Sequence, residues 1–162
     1  MYLKQSDIFW GTDKEFMKQI MDISIRESHK QGDFLFREGD QANNFYTLIK
    51  GRIRLSLGET GQTVYTVSHA GEAFGWSSLI GRDVYTASAE CVEPTTLMKI
   101  ENEKLLKILE DDPSNGLILF KQLAGTLGDR LLQLYKIIST SSEKDFSVSY
   151  GSGQVVESAE SE

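Results

Sequence analysis

The sequence contains one cysteine, two prolines and no long apolar run. A single cysteine, Cys91, cannot form an internal disulfide bond, which favours a reducing, cytoplasmic location. A membrane helix needs about 18 consecutive apolar residues, and no stretch of that length occurs. Lys4 and Asp7 interrupt the first ten residues. We therefore expect neither a signal peptide nor a membrane span.

Side chains that bind metals or carry out catalysis are also scarce. The two histidines, His29 and His69, lie in different segments and form no His-x-His pair. One cysteine cannot hold an iron–sulfur cluster, and neither a phosphate-binding glycine–lysine loop nor a Gly-x-Ser-x-Gly turn is present. We expect no metal site and no enzymatic activity, and we expect Cys91 to be a small buried residue rather than a redox switch.

The formal net charge is −7, and acidic residues dominate the end of the chain. An acidic surface has no broad electrostatic attraction for nucleic acid or for an anionic bilayer, so we expect no direct DNA binding and no membrane association. From residue 141 onward the chain has five acidic residues, one basic residue and few large apolar residues. Such a segment buries too little surface to offset its ordering entropy, and residues 141–162 are predicted to form a flexible acidic tail.

The pattern of apolar residues and glycines over residues 13–100 predicts one helix followed by many short strands. Asp13 is a favoured N-cap, and apolar residues then recur at helical spacing, which predicts a helix over residues 13–28. The β-rich runs that follow are separated by glycines, and several alternate with the period of two that is typical of half-buried strands. Seven or eight short strands favour a barrel or a sandwich. The predicted strands are 34–36, 44–50, 53–57, 63–67, 84–90 and 95–100, with a hairpin turn over 58–62.

Two helices are predicted after residue 101. A short one around residues 105–109 ends at Asp112, and Pro113 suits the first turn of the next helix because its missing N–H would be unpaired there anyway. That second helix, residues 113–138, carries a long apolar stripe. Part of the stripe can cover the barrel, and the rest is long enough to pair with a second copy as in a coiled coil. We expect a homodimer through this helix; the alternative is that the whole stripe is buried within one chain.

Two glycine-containing segments carry the most specific pattern. Residues 32–40 read GDFLFREGD and precede NFYTLIKGRI at 44–53, and residues 71–89 read GEAFGWSSLIGRDVYTASA. Residues 32–40 and 44–53 together resemble the opening hairpin of the cyclic-nucleotide-binding domain. Residues 71–89 resemble the phosphate-binding cassette of the same domain. The resemblance extends over residues 8–138. It implies a mainly β fold over residues 1–140, a double-stranded β-helix (jelly-roll) barrel with an N-terminal helix and two C-terminal helices.

The glycines of the cassette also have a physical interpretation of their own. Gly71 and Gly75 flank Phe74 and precede a run, 76–80, that can make one or two helical turns. The N-terminus of such a turn presents unpaired N–H groups that favour an anion, with the Ser77 and Ser78 hydroxyls beside it. A tight barrel corner without a ligand explains the same glycines.

At two positions the cassette departs from the family pattern. In the family a glutamate directly after Phe-Gly binds the ribose 2′-hydroxyl, and an arginine directly before Thr-Ala neutralises the cyclic phosphate. Trp76 and Tyr85 occupy these positions. Each lost charge-assisted hydrogen bond weakens binding by roughly 1.5–3 kcal/mol. We therefore do not assign cAMP or cGMP as the ligand.

Three interpretations of the altered cassette stay open. In the first, Arg82 supplies the missing positive charge and Trp76 stacks on a base or sugar of the ligand. Alternatively, Trp76 and Tyr85 line a more apolar cavity for a different ligand. In the third, both aromatic side chains pack into the site and fill it.

The resemblance implies a non-catalytic regulatory or sensor domain whose C-terminal helices signal to a protein partner. The alternative is a ligand-free interaction and dimerisation module with a filled pocket. The stretch after residue 138 is too short for the winged-helix module of DNA-binding family members. If a ligand binds, the predicted site residues are Phe74, Gly75, Trp76, Ser77, Ser78, Arg82, Tyr85 and Thr86.

Overall fold

The computed structural model describes residues 7–141 and the backbone of two short strands, Phe146–Val148 and Val155–Glu157. The chain divides into two compact units, Met1–Leu123 and Ala124–Glu162. The first unit contains the barrel and its flanking helices. The second contains the end of the long C-terminal helix and the two short strands.

Eight strands form two four-stranded antiparallel sheets in the first unit, which confirms the predicted jelly-roll barrel. The strands are β1 (Ser24–His29), β2 (Phe34–Phe36), β3 (Asn44–Lys50), β4 (Ile53–Leu57), β5 (Gln62–Val67), β6 (Ala73–Phe74), β7 (Ser88–Cys91) and β8 (Thr95–Glu101). One sheet has the order β1-β8-β3-β6 and the other the order β2-β7-β4-β5. Apart from the β4–β5 hairpin, the paired strands are distant in sequence, and the two sheets enclose one apolar interior.

The N-terminal helix α1 (Lys14–Ile23) is shorter than the predicted helix. Asp13 caps it as expected, because its side chain accepts a hydrogen bond from the Phe16 N–H at 2.8 Å. The prediction of helix over residues 24–28 is wrong. Ser24 adopts extended backbone angles, and β1 pairs along its whole length with β8. Sheet pairing with a distant strand outweighs the helical spacing of Ile25.

The predicted strand over residues 84–90 is also wrong in its first half. Val84 forms only an isolated bridge with Gln41, and β7 begins at Ser88. The backbone before β7 instead bonds to the loop between β2 and β3: the Ala42 N–H donates to the Asp83 carbonyl at 2.8 Å. This segment is a return loop held against another loop, and it does not continue a sheet.

Two helices follow β8, as predicted. Helix α2 (Asn102–Asp111) begins directly after Glu101, with no loop between strand and helix. Asp112 alone separates α2 from helix α3 (Pro113–Ser141), and Pro113 is the first residue of α3 as expected. In the described part of the chain, no helix combines the length and the apolar character needed to cross a bilayer.

In the second unit, strands β9 (Phe146–Val148) and β10 (Val155–Glu157) pair antiparallel. Both lie within the predicted acidic tail, residues 141–162. The rest of that tail, residues 142–145, 149–154 and 158–162, lies outside the described residues. The flexibility of the tail stays a prediction.

Candidate functional site

The cassette between β6 and β7 is built on two left-handed glycines. Gly75, with φ +71°, ends β6 and starts a short 3-10 helix (Trp76–Ile80), and Gly81, with φ +80°, ends it. A Cβ at position 75 would lie 2.9 Å from Tyr46 Cδ2 and 3.2 Å from the Asn44 carbonyl oxygen. Both the backbone angle and the close approach therefore require glycine at this corner.

Tyr85 points into the barrel interior from the return loop. The residue is 3% exposed, and its ring stacks on Phe36 with 3.7 Å between ring centroids. Its hydroxyl donates to the Asn44 carbonyl at 2.7 Å and accepts from the Asn44 N–H at 3.0 Å. Both hydrogen-bonding functions of the phenol are thus satisfied by one backbone residue.

The rings around Tyr85 form a continuous aromatic cluster. Tyr46 stacks on Phe74 at 5.2 Å and lies 5.7 Å from Phe36, measured between ring centroids. Burial is the main cause that raises the pKa values of the Tyr46 and Tyr85 phenols, so both stay neutral at physiological pH. An apolar interior lined by neutral phenols offers no positive charge to a phosphate.

Among the other predicted site residues, Phe74 belongs to this interior, whereas Trp76, Arg82 and Thr86 do not. Phe74 and Ser77 are buried in the cassette, and Trp76 is only half-buried. Arg82 and Thr86 are exposed. The interpretation in which two aromatic side chains fill the site therefore describes Tyr85, and Trp76 lies outside the aromatic cluster of the core.

A series of hydrogen bonds links the cassette to helix α2. Asn44, which binds the Tyr85 hydroxyl, is the first residue of β3. Immediately before it, the Asn43 carbonyl accepts from the Asn102 N–H at 2.9 Å, and the Ala42 carbonyl accepts from Asn102 Nδ2 at 3.0 Å. Asn102 is the first residue of α2. The β2–β3 loop thus holds the cassette on one side and the start of α2 on the other.

A charged cluster on β1 and β8 was not predicted from the sequence. Glu27 accepts hydrogen bonds from Lys99 and from His29, and Lys99 lies directly opposite Tyr46 across the β3–β8 pair. Burial raises the pKa of Glu27, but the bonds from Lys99 and His29 outweigh it and leave this pKa below its ordinary value. The spacing of Ile25, Glu27 and His29, two residues apart, was the available sign of a strand.

Ser78 and Arg82 instead line a surface cleft of about 970 Å³ on the other side of the cassette. The opposite wall is the start of α2, with Asn102 and Lys104, and the floor includes Lys99 of β8. The side chains come from segments distant in sequence, so no local motif indicates the cleft. Among residues 7–141, no group of three or more histidine, cysteine, aspartate or glutamate side chains is arranged to hold a metal ion.

A jelly roll with a glycine-bounded cassette between β6 and β7, followed by two helices, defines a class of regulatory β-roll domains. Residues 26–112 match the family model of the cyclic nucleotide-binding domain. The chain belongs to the cyclic nucleotide-binding domain family.

Its relatives include transcription regulators and isolated domains. The chain is 29% identical over 131 residues to the cyclic AMP receptor protein of Thermus thermophilus, which covers 80% of this chain and 59% of that protein. The crystal structure of the catabolite activator protein of Thermus thermophilus superposes with a TM-score of 0.65 at 26% identity, covering 82% of this chain and 62% of that one. The chain therefore spans less than two thirds of the length of these regulators.

A shorter relative is matched over most of its own length. The structure of a candidate cyclic nucleotide-binding protein from Geobacter metallireducens has a TM-score of 0.69 at 31% identity. The match covers 76% of this chain and 91% of that one.

Proposed function

We propose that this chain is a non-catalytic regulatory domain whose barrel interior is closed by its own side chains rather than by a cyclic nucleotide. In this proposal it acts as a homodimer through α3 and passes its state to a protein partner, without direct contact to DNA. The cytoplasmic location stays a prediction from the single cysteine.

The observation that carries the proposal is the environment of Tyr85. The family places the phosphate-binding arginine at this position, whereas the Tyr85 ring is stacked on Phe36 and its hydroxyl is bound twice by Asn44. A cyclic phosphate there would have to displace packed aromatic carbon and would find no cation to pair with. Desolvating a phosphate without a partner is strongly unfavourable.

The hydrogen bonds around Asn44 support an arrangement that does not need a nucleotide in the barrel interior. In a ligand-driven switch, a ligand shifts an equilibrium only by its differential affinity for two states. Here Tyr85, the β2–β3 loop and Asn102 are already joined by protein hydrogen bonds. The cassette and the start of α2 therefore hold each other without a nucleotide.

An apolar face on α3 supports the homodimer. In the second unit, Leu131, Leu134, Tyr135 and Ile138 recur at helical spacing and are 47–56% exposed. They form one stripe along the helix. A second copy of the same helix is the occupant whose length and pattern fit this stripe.

Thermal unfolding with cAMP and with cGMP at millimolar concentration tests the nucleotide part of the proposal. A ligand at 100 times its Kd stabilises the native state by about 2.7 kcal/mol. We expect no rise in the melting temperature that depends on Tyr85. The Thermus thermophilus cyclic AMP receptor protein in the same assay is the positive control. A saturable rise that Tyr85→Phe alters would overturn the proposal.

A further inference from the structure

The cleft between the cassette and α2 has the size and the position of a ligand site distinct from the barrel interior. Its volume of about 970 Å³ lies within the range of small-molecule pockets, about 300–1,000 Å³. One wall is the end of the 3-10 helix with Ser78 and Gly81, and the other is the first turn of α2. The cleft therefore touches both elements that the β2–β3 loop holds together.

Two buried polar atoms in these walls have no hydrogen-bond partner. They are Ser78 Oγ and Asn102 Oδ1. Asn102 is 3% exposed, and its Nδ2 already donates to the Ala42 carbonyl, which fixes the orientation of the amide and leaves Oδ1 as an acceptor. Buried polar groups are nearly always paired in native proteins, so each exception calls for a physical explanation. A ligand with an N–H donor explains Asn102 Oδ1.

The cleft lining carries three carboxylates, Asp83, Glu101 and Glu103, and three cations, of which one is left for an anionic group on the same ligand. Lys99 is paired with Glu27, and Lys104 is paired with Glu101 at 2.9 Å. The Arg82 guanidinium is exposed at the mouth, and within the described residues it forms no ion pair. It is the cation that remains available for a carboxylate or a phosphate, which a guanidinium binds through two parallel hydrogen bonds.

We propose that this cleft binds a small polar molecule that carries both an anionic group and an N–H donor. Arg82 binds the anionic group, and Ser78 and Asn102 bind the donor end. Amino acids and nucleoside monophosphates share this chemistry, the first with a carboxylate and an ammonium, the second with a phosphate and an amino group on the base. The site rests on the contacts of the cleft alone and does not depend on whether the barrel interior is closed.

Such a ligand acts between the cassette and α2. Asn102 Oδ1 and Ser78 Oγ have almost no accessible surface, so a donor reaches them only when the walls of the cleft move apart. Binding there favours one spacing of the two elements over another. In this proposal the ligand acts on the domain at the junction between the cassette and α2, and not from the barrel interior.

Amide chemical shifts of the full chain test the site. Free L-amino acids form one arm of the titration and nucleoside 5′-monophosphates the other, both at up to millimolar concentration. We expect members of one arm to produce saturable shifts at residues 78–83 and 102–106. The absence of any such shift in both arms overturns the proposal.

Two variants assign the contacts. Arg82→Ala should weaken binding about tenfold, as expected for a lost charge-assisted bond, while Arg52→Ala, which removes an exposed arginine from the β3–β4 turn, should leave it unchanged. Ser78→Ala should weaken binding too, yet leave the melting temperature of the free protein equal or higher, because the hydroxyl has no partner there. Equal affinities for Arg82→Ala and the parent chain would contradict the proposed anion contact.

The same titration separates this proposal from the closed barrel. Shifts at Phe36, Leu55 and Ala89 with cAMP would overturn the closed interior and leave the cleft proposal unaffected, because these residues belong to the apolar core or pack against it. Shifts confined to the cleft uphold both proposals.

Discussion

The Tyr85 ring lies nearly parallel to the Phe36 ring, with an angle of 13° between their planes. The two residues come from the return loop and from β2, so the stack joins the cassette to the second sheet. The family resemblance implied a phosphate-binding arginine at this position. Here Tyr85 contributes to the core, and its contribution can be measured as stability.

The Tyr85 hydroxyl provides the first prediction. Tyr85→Phe keeps the stack and removes both hydrogen bonds to Asn44, so it should lower the free energy of unfolding by about 1–3 kcal/mol. Tyr135→Phe removes the hydroxyl of an exposed tyrosine on α3 and should change it by less than about 0.5 kcal/mol. Urea unfolding followed by circular dichroism compares the two. Equal effects would mean that the Asn44 bonds are not formed.

The glycine at the cassette corner allows a matched test of steric fit. Gly75 and Gly58 have almost the same φ, +71° and +72°, but a Cβ at Gly58 meets nothing within 4 Å. Gly58→Ala should therefore cost only the left-handed backbone strain, about 1 kcal/mol. Gly75→Ala adds a clash with Tyr46 and should cost at least about 1 kcal/mol more. Thermal unfolding of both variants measures the difference, and identical midpoints would show that the corner has room for a methyl group.

Asp13 gives a pH dependence of known sign. Hydrogen bonds from the Phe16 N–H and from Asn115 lower its pKa below the ordinary value of 3.8. A folded-state pKa below the unfolded one adds stability that is fully present above the unfolded value and is lost as the pH falls through the folded value. Asp13→Asn, which still caps the helix, should therefore lose less stability than the parent chain between neutral pH and about pH 2.

Urea unfolding at the two pH values measures this effect. Asp22→Asn is the control, because Asp22 lies on the same helix and is exposed. A parent chain and an Asp13→Asn variant that lose stability in parallel would contradict the role of the ionised cap.

The apolar stripe of α3 predicts the behaviour of the proposed dimer. Leu134→Glu places a charge in the middle of the stripe and should produce a monomer in light scattering after size-exclusion chromatography. Gln133→Glu adds the same charge to the neighbouring position and should leave the dimer intact. A monomeric parent chain would remove the basis for dimerisation through this helix.

Local sequence signals were enough to predict the barrel. The candidate site could not be predicted in the same way, because it depends on packing between segments distant in sequence. Turn glycines such as Gly51 and the period-two alternation near Ile53 are short-range features, and they predicted most strands correctly. Strand β1 was mistaken for helix because its partner lies about 70 residues away in sequence, at β8. Cys91 was correctly predicted to be buried, and it is 0% exposed.

In the cassette, too, the sequence predicted some features and the folded structure determined others. Its departures from the family at Trp76 and Tyr85 were visible in the sequence, but the two residues have different surroundings in the fold. Tyr85 meets Phe36 and Asn44, while Trp76 is half exposed. Neither Asn102 nor the cleft it lines carries a local signal, because the walls meet only after the barrel has closed.

The direct junction of β8 and α2 determines how firmly this helix is held. Because no loop separates Glu101 from Asn102, tilting α2 would distort β8. This strand is hydrogen-bonded on both edges, to β1 and to β3. The start of α2 is thereby held by the sheet. Asp112, the single residue between α2 and α3, is held on both sides: its N–H donates to the Ile108 carbonyl, and its carboxylate accepts from the Asn115 N–H and from Asn115 Nδ2. A displacement of α2 would therefore carry the first turn of α3 with it.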